Sequence, residues 1–166
     1  YSFCCPLVIG EANIMKEAIK LVNSHLKLHP MKTITELKGQ FGIIDLLDLQ
    51  NLDRKEVVIG QVCRACGRAA MEYIAKAGEL ALQGKVKAVV TAPINKEATI
   101  KAGYGDVGHL EFLARLTGAT EYATMLVTGP LRVVHLSTHH SLKQACDLVT
   151  RERILAKLKL THNSFR

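Results

Sequence analysis

Three short stretches of this 166-residue chain carry side chains suited to chemistry. Thr91-Ala92-Pro93-Ile94-Asn95-Lys96 places an amide and an ammonium just after a β-branched run. Both groups donate hydrogen bonds to a carboxylate or a phosphate. Gly108-His109-Leu110-Glu111 places an imidazole where a helical pattern begins. A ring N–H and the positive end of a helix suit an anion there. His135, His139 and His140 follow a second apolar run and bring possible metal ligands. His135 and His139 lie on a segment that reads as a strand, which would separate them by about 13 Å at ~3.3 Å per residue. Side chains of the adjacent His139 and His140 alternate in direction. At most one member of this cluster therefore serves any one metal, and the other ligands must come from elsewhere.

Each signal also has a plain structural explanation: a turn with a solvated Lys, a helix-capping His, a surface His. Cys63-Arg64-Ala65-Cys66 is a CxxC without further zinc ligands nearby. It falls inside a helical pattern rather than at a strand-to-helix turn, so two structural thiols are expected. No GxGxxG or GxxxxGK phosphate loop, GxSxG elbow or HExxH pair occurs.

The elements that must position these groups are legible from periodicity. Phe3 to Ile9 reads as a buried strand ended by Gly10, and Ile14, Ala18, Leu21 and Val22 mark a helix from about Glu11 to Ser24. Leu26 to Gly42 is mixed and holds a loop with a short strand. Ile43 to Leu47 is a strand, and Asn51 to Glu56 a charged connection. Val62, Cys66, Ala69, Ala70, Tyr73, Ala77 and Ala81 line one face of a long helix closed near Gly84. Lys85 to Thr91 reads as a central strand that Pro93 terminates. Short helices follow over Lys96 to Lys101, closed by Gly103, and around Leu110, Leu113 and Leu116, closed by Gly118. Gly129-Pro130 turns a hairpin between Thr124–Thr128 and Arg132–Ser137. Ser141 and Thr150 cap two final helices, the last burying Ile154, Leu155 and Leu158. The alternation predicts an α/β fold, a mixed sheet with flanking helices.

Hydrophobic residues make up 48% and charged residues 22%, and no apolar run approaches the ~20 residues of a membrane helix. A soluble globular domain with no membrane association is expected. Five Cys without framework spacing predict free thiols in a reducing, cytoplasmic setting. The net charge of +7 invites nucleic acid, but the cations are dispersed and aromatics are only 5%. No nucleic-acid partner is expected; solvated helix faces and an anionic small substrate account for the charge.

Taken in order, several segments resemble one family. They are Gly67-Arg68-Ala69-Ala70, Val90-Thr91-Ala92-Pro93-Ile94-Asn95-Lys96-Glu97-Ala98, Ala102-Gly103-Tyr104, Gly108-His109-Leu110-Glu111-Phe112-Leu113, Met125-Leu126, and Leu131 to His139. The family is 4-hydroxythreonine-4-phosphate dehydrogenase and its PdxA-like relatives. The stretch from Arg132 through Ala145-Cys146-Asp147 is closer to a branch acting on D-threonate or D-erythronate 4-phosphate.

The resemblance implies part of a two-domain fold like that of isocitrate and isopropylmalate dehydrogenases. It also implies a homodimer, and a reaction that oxidises and decarboxylates a 4-phosphorylated four-carbon hydroxy acid in pyridoxal phosphate biosynthesis or a related route. The cofactors implied are NAD or NADP and a divalent metal (zinc, magnesium or cobalt). By position His139 matches a metal ligand, and His109, Asn95 and Lys96 match substrate-binding positions. Leu110 stands where the family carries Thr and removes a polar contact. The family pattern also implies that residues 1–166 are an incomplete dehydrogenase segment, without the N-terminal strand segment and C-terminal half. Such a fragment alone is expected to be inactive and to expose apolar surface. The alternative is a remnant with the family fold and no catalysis.

Overall fold

The computed structural model describes residues 1–105, 108–138 and 140–165. They divide into two compact units, Tyr1–Thr117 and Gly118–Arg166. In the first, β1 (Val8–Gly10), β2 (Lys27–Met31) and β3 (Ile43–Asp48) form a parallel sheet in the order β1-β3-β2. Helix α1 (Ala12–Leu21) carries the chain from β1 to β2. Strand β3 is central, and its Ile-Ile-Asp-Leu-Leu run is the near-continuous apolar pattern of a strand covered on both faces.

Asp45 is the one charge within that run and is buried. It lies opposite His29 in the β2–β3 register, and Oδ1 meets His29 Nδ1 at 2.7 Å. Its Oδ2 accepts from the Gly39 N–H at 2.8 Å. Burial alone would raise the carboxyl, but the bonds from His29, Gly39 and the Lys38 backbone outweigh it and hold the group below its ordinary value.

Helix α2 (Arg64–Leu82) organises the rest of the unit. Its C-terminus closes as a Schellman motif: Gly84 (φ +68°) donates to Ala81 O at 2.9 Å and Lys85 to Leu80 O at 2.9 Å. Helices α3 (Lys96–Lys101) and α4 (His109–Thr117) pack on it. A Cβ at Gly67 would collide with the Ala98 backbone carbonyl of α3, and one at Gly78 with the Leu116 side chain of α4. Met71, Ile74 and Phe112 fill the space between, with Ile94, Tyr104 and Leu113 against them. The stripe toward α3 and α4, Gly67, Met71, Ile74 and Gly78, lies outside the apolar face read in the sequence, where glycine carries no hydrophobic signal; of the face that was read, Ala69 is buried and Ala70, Tyr73 and Ala77 line the apolar cavity beside β1.

The second unit contains the antiparallel hairpin β4 (Met125–Thr128) and β5 (Leu131–Val134), then α5 (Leu142–Asp147) and α6 (Arg151–Ser164). Ser141 caps α5 in a reciprocal box with Gln144, and Thr150 caps α6. Both helices start where the sequence places them. Parallel and antiparallel pairing both occur, but in separate sheets. Among the described residues no helix is long and apolar enough to cross a membrane.

Three expectations need correction. The first strand spans only Val8–Gly10, and Phe3 is fully exposed. Lys85 to Thr91 makes no ladder: it runs past β1 across an apolar cavity of about 420 Å³, and Val90 is exposed. Its β-branched residues favour extended backbone, but a strand also requires a neighbour in hydrogen-bonding register. Ile154, Leu155 and Leu158 are exposed, since no described element of their unit covers that face.

Gly67→Ala should lower stability by about 1–2 kcal/mol in urea denaturation, because the overpacking cost exceeds the helix-propensity gain. A neutral or stabilising result would contradict the close α2–α3 approach at Gly67. Asp45→Asn should cost about 1–3 kcal/mol at pH 7. A depressed carboxyl contributes above its unfolded value and loses that contribution as pH falls through its folded value. The difference between wild type and variant should therefore shrink below about pH 4. A pH-independent difference in denaturation midpoints would contradict the assignment.

Candidate functional site

Two helix starts in the first unit carry the sequence-predicted groups. Asn95 is the N-cap of α3, and its Oδ1 accepts from the Ala98 N–H at 2.9 Å. That bond commits the amide oxygen and turns the Nδ2 donors outward on an exposed residue. Lys96 follows, also exposed, with its carbonyl bonded by Thr99 Oγ1 at 2.9 Å. The local offering is an amide donor, an ammonium and the first turn of a helix, whose one carboxylate, Glu97, is paired with Lys101 at 2.9 Å.

His109 opens α4. Its Nε2 is buried and has no hydrogen-bond partner among the described residues. A buried ring nitrogen left unpaired costs about 1–3 kcal/mol, so a group that pairs with it binds with that penalty relieved. Leu110 beside it is half-buried. The two starts are tied to one packed cluster: Ile94, next to Asn95, and Phe112, three residues beyond His109, both belong to the Met71–Ile74 core. Tyr104 meets the Phe112 ring edge-on at 6.0 Å, and the Arg115 guanidinium lies 5.2 Å from the same ring centre.

The histidines of the second unit come less fully into view. His135 is half-buried, and its N–H bonds Thr124 O at 3.0 Å. His140 is exposed, and His139 lies outside the described residues. Among the described residues no three His, Cys, Asp or Glu side chains gather as a metal centre.

Two features escaped the sequence reading. The first is a polar cleft of about 740 Å³ at the carboxyl edge of the parallel sheet, lined by Glu11, Lys16, Asp48, Asn51 and Arg68 among others. Glu11 is buried with Oε2 unpaired, Asn51 Oδ1 is unpaired, and Gln50 takes a left-handed φ of +52°. Asp48 Oδ1 accepts from the Ala12 N–H at 3.0 Å. Burial and the nearby Glu11 and Asp48 carboxylates raise the Tyr73 hydroxyl well above its ordinary value. Parallel strands gather their following loops at one edge, and the acidic residues closing β1 and β3 were the available signal.

The second concerns the CxxC. Cys63 is not inside the helix but is the N-cap of α2, extended at φ −119° and ψ 127°. Its Sγ accepts from the Cys66 N–H at 3.3 Å. The helical pattern was extended two residues too far because Val62 matched its spacing.

The chain matches, over residues 2–166, the family described as Pyridoxal phosphate biosynthetic protein PdxA. A relative from Clostridium botulinum, provisionally named D-threonate 4-phosphate dehydrogenase, is 43% identical over 93% of this chain and 46% of its own length. A Fusobacterium nucleatum relative with the same provisional name is 41% identical over 92% of this chain and 46% of its own. The crystal structure of a 4-hydroxythreonine-4-phosphate dehydrogenase from Burkholderia phymatum matches with a TM-score of 0.87 at 36% identity, covering 96% of this chain and 48% of that one. The chain thus spans about half the length of the curated relatives it matches.

Asn95→Asp separates capping from ligand donation, since the carboxylate keeps the cap and loses the donors. Its denaturation midpoint should stay within about 0.5 kcal/mol of wild type, while the affinity for inorganic phosphate falls about 10-fold or more. Phosphate affinity that is unchanged in calorimetry would confine Asn95 to capping.

Proposed function

The chain belongs to the Pyridoxal phosphate biosynthetic protein PdxA family, and from that premise we propose that it forms part of an NAD- or NADP-linked dehydrogenase. Its substrate is a 4-phosphorylated four-carbon hydroxy acid, which is oxidised and decarboxylated. D-threonate or D-erythronate 4-phosphate is favoured over 4-hydroxythreonine 4-phosphate. The observation that carries this reading is the unpaired, buried His109 Nε2 at the start of α4. The core it shares with the Asn95–Lys96 turn supports it. The names of the relatives from Clostridium botulinum and Fusobacterium nucleatum support the choice of acid.

In this reading Asn95 Nδ2, Lys96 and the α3 amide end hold the anionic part of the substrate, and His109 fixes a polar oxygen of it. Leu110 offers no hydroxyl, so the substrate loses one hydrogen bond that a Thr would make and gains an apolar wall. That is a reason to expect a substrate other than the one a Thr-bearing site selects. A divalent metal, whether zinc, magnesium or cobalt, belongs to the same reading, with His139 as one ligand. The described residues do not build that centre themselves. A homodimer completes the proposal, and so does a reducing, cytoplasmic setting, which the five free cysteines support.

The test assays the intact protein carrying this segment against the three phosphorylated acids, with NAD or NADP, and follows nicotinamide reduction. Turnover of D-threonate or D-erythronate 4-phosphate should exceed that of 4-hydroxythreonine 4-phosphate by about 10-fold, and a chelator should abolish it. His109→Ala should lower kcat/KM by about 10- to 100-fold, the worth of one hydrogen bond to a charged group. Absence of turnover on all three acids would favour a family fold without catalysis.

A further inference from the structure

We propose that Cys63 and Cys66 form a redox-active dithiol that exchanges with small disulfides, Cys63 attacking and Cys66 resolving. The inference stands on the first turn of α2 and is independent of the dehydrogenase reading.

The geometry separates the roles of the two sulfurs. Cys63 sits at the N-cap of a 19-residue helix with an extended backbone. Its Sγ receives the Cys66 N–H at 3.3 Å. When protonated, Cys63 donates to the Glu56 carbonyl at 3.2 Å. Both cysteines are partly exposed, so a small reagent can reach the site. The Gly67 N–H bonds the Cys63 carbonyl at 3.0 Å, closing the turn that carries both sulfurs. Residues spanning such a turn approach within the separation a disulfide bridges, about 4.4–6.8 Å between Cα atoms.

Titration follows the same asymmetry. The Cys66 N–H and thiol hold Cys63 below its ordinary value, against burial and the Glu56 charge. Burial first, then the bond to Cys63 and its charge, pushes Cys66 up to about 11. One sulfur is therefore favoured as the thiolate while the other is kept protonated.

The exchange balances without a further reagent. The Cys63 thiolate attacks one sulfur of a disulfide RS–SR. That S–S bond breaks, and the leaving thiolate takes up the proton released by Cys63. Once Cys63 is a neutral mixed disulfide, the bond and the charge that raised Cys66 are gone, although its burial remains. Cys66 then gives up its proton and attacks the Cys63 sulfur, expelling the second RS⁻, which takes that proton. The dithiol loses two electrons and two protons, and the small disulfide becomes two thiols. In a reducing setting such a bond is transient, as redox-sensing pairs are.

The test uses oxidised glutathione on the full chain at pH 7, with Cys4, Cys5 and Cys146 replaced by Ser, followed by mass mapping of the peptides. A reversible Cys63–Cys66 disulfide is expected. Cys66→Ser should instead trap one glutathione on Cys63, and Cys63→Ser should react about 10-fold more slowly than the pair. Far-UV circular dichroism checks folding, and if the Ser background misfolds, iodoacetamide competition on the wild-type chain decides. There Cys63 should alkylate faster than Cys66, and oxidised glutathione should protect both together. Absence of the 63–66 bond, or Cys63 and Cys66 alkylating at equal rates, overturns the proposal.

Discussion

The first unit depends on a contact that two glycines permit. At Gly67 the backbone of α2 lies against the Ala98 carbonyl of α3, and at Gly78 the Leu116 side chain of α4 fills the place of a Cβ. Because glycine in a helix interior costs roughly 0.5–1 kcal/mol relative to alanine, its presence at both contacts needs a compensating gain. The gain is the close approach itself, which brings Met71, Ile74 and Phe112 into one core. Two helices of 6 and 9 residues are too short to be stable alone. Packing on α2 holds them, and with them the groups at their N-termini.

That arrangement explains why functional groups sit at helix starts here. Asn95 can donate outward because its oxygen is already spent on the Ala98 N–H. His109 can hold an unpaired nitrogen because Phe112, one turn on, is anchored in the core. Cys63 uses the same logic with sulfur, accepting the Cys66 N–H at the start of α2. In each case the cap lowers the freedom of the side chain while leaving one function of it available.

Elements defined by local chemistry were legible in the sequence. Gly84, Gly103, Gly118 and Gly129 all take positive φ at the ends and turns where they were expected. Ser141 and Thr150 cap the helices they were assigned. Asn95 and His109 also fall where the motif reading placed them. What failed needed knowledge of neighbours. The 85–91 stretch has strand composition but no ladder partner, and the apolar stripe of α6 has no described element over it. Of α2, the face with Ala69, Ala70, Tyr73 and Ala77 was read, and the stripe against α3 and α4 was missed because its two tightest positions are glycines. The Cys63 error was two residues in a helix boundary, and it placed inside the helix a thiol that caps it.

The polar edge of the sheet follows from backbone direction rather than from any local motif. Parallel strands end on the same side, so Gly10–Glu11 and Asp48–Asn51 meet although 37 residues separate Glu11 from Asp48 by number alone. Two acceptors are left over there: Glu11 Oε2 and Asn51 Oδ1 are unpaired, whereas Asp48 already bonds the Ala12 N–H. Burying an unpaired acceptor costs about 1–3 kcal/mol, and a left-handed Gln50 adds strain of the same order. Beneath this edge lies β3, where Leu46 and Leu47 are buried and both Asp45 oxygens are bonded. A buried central strand thus lies beneath a polar rim with unpaired acceptors, at the strand ends where an α/β scaffold gathers its loops.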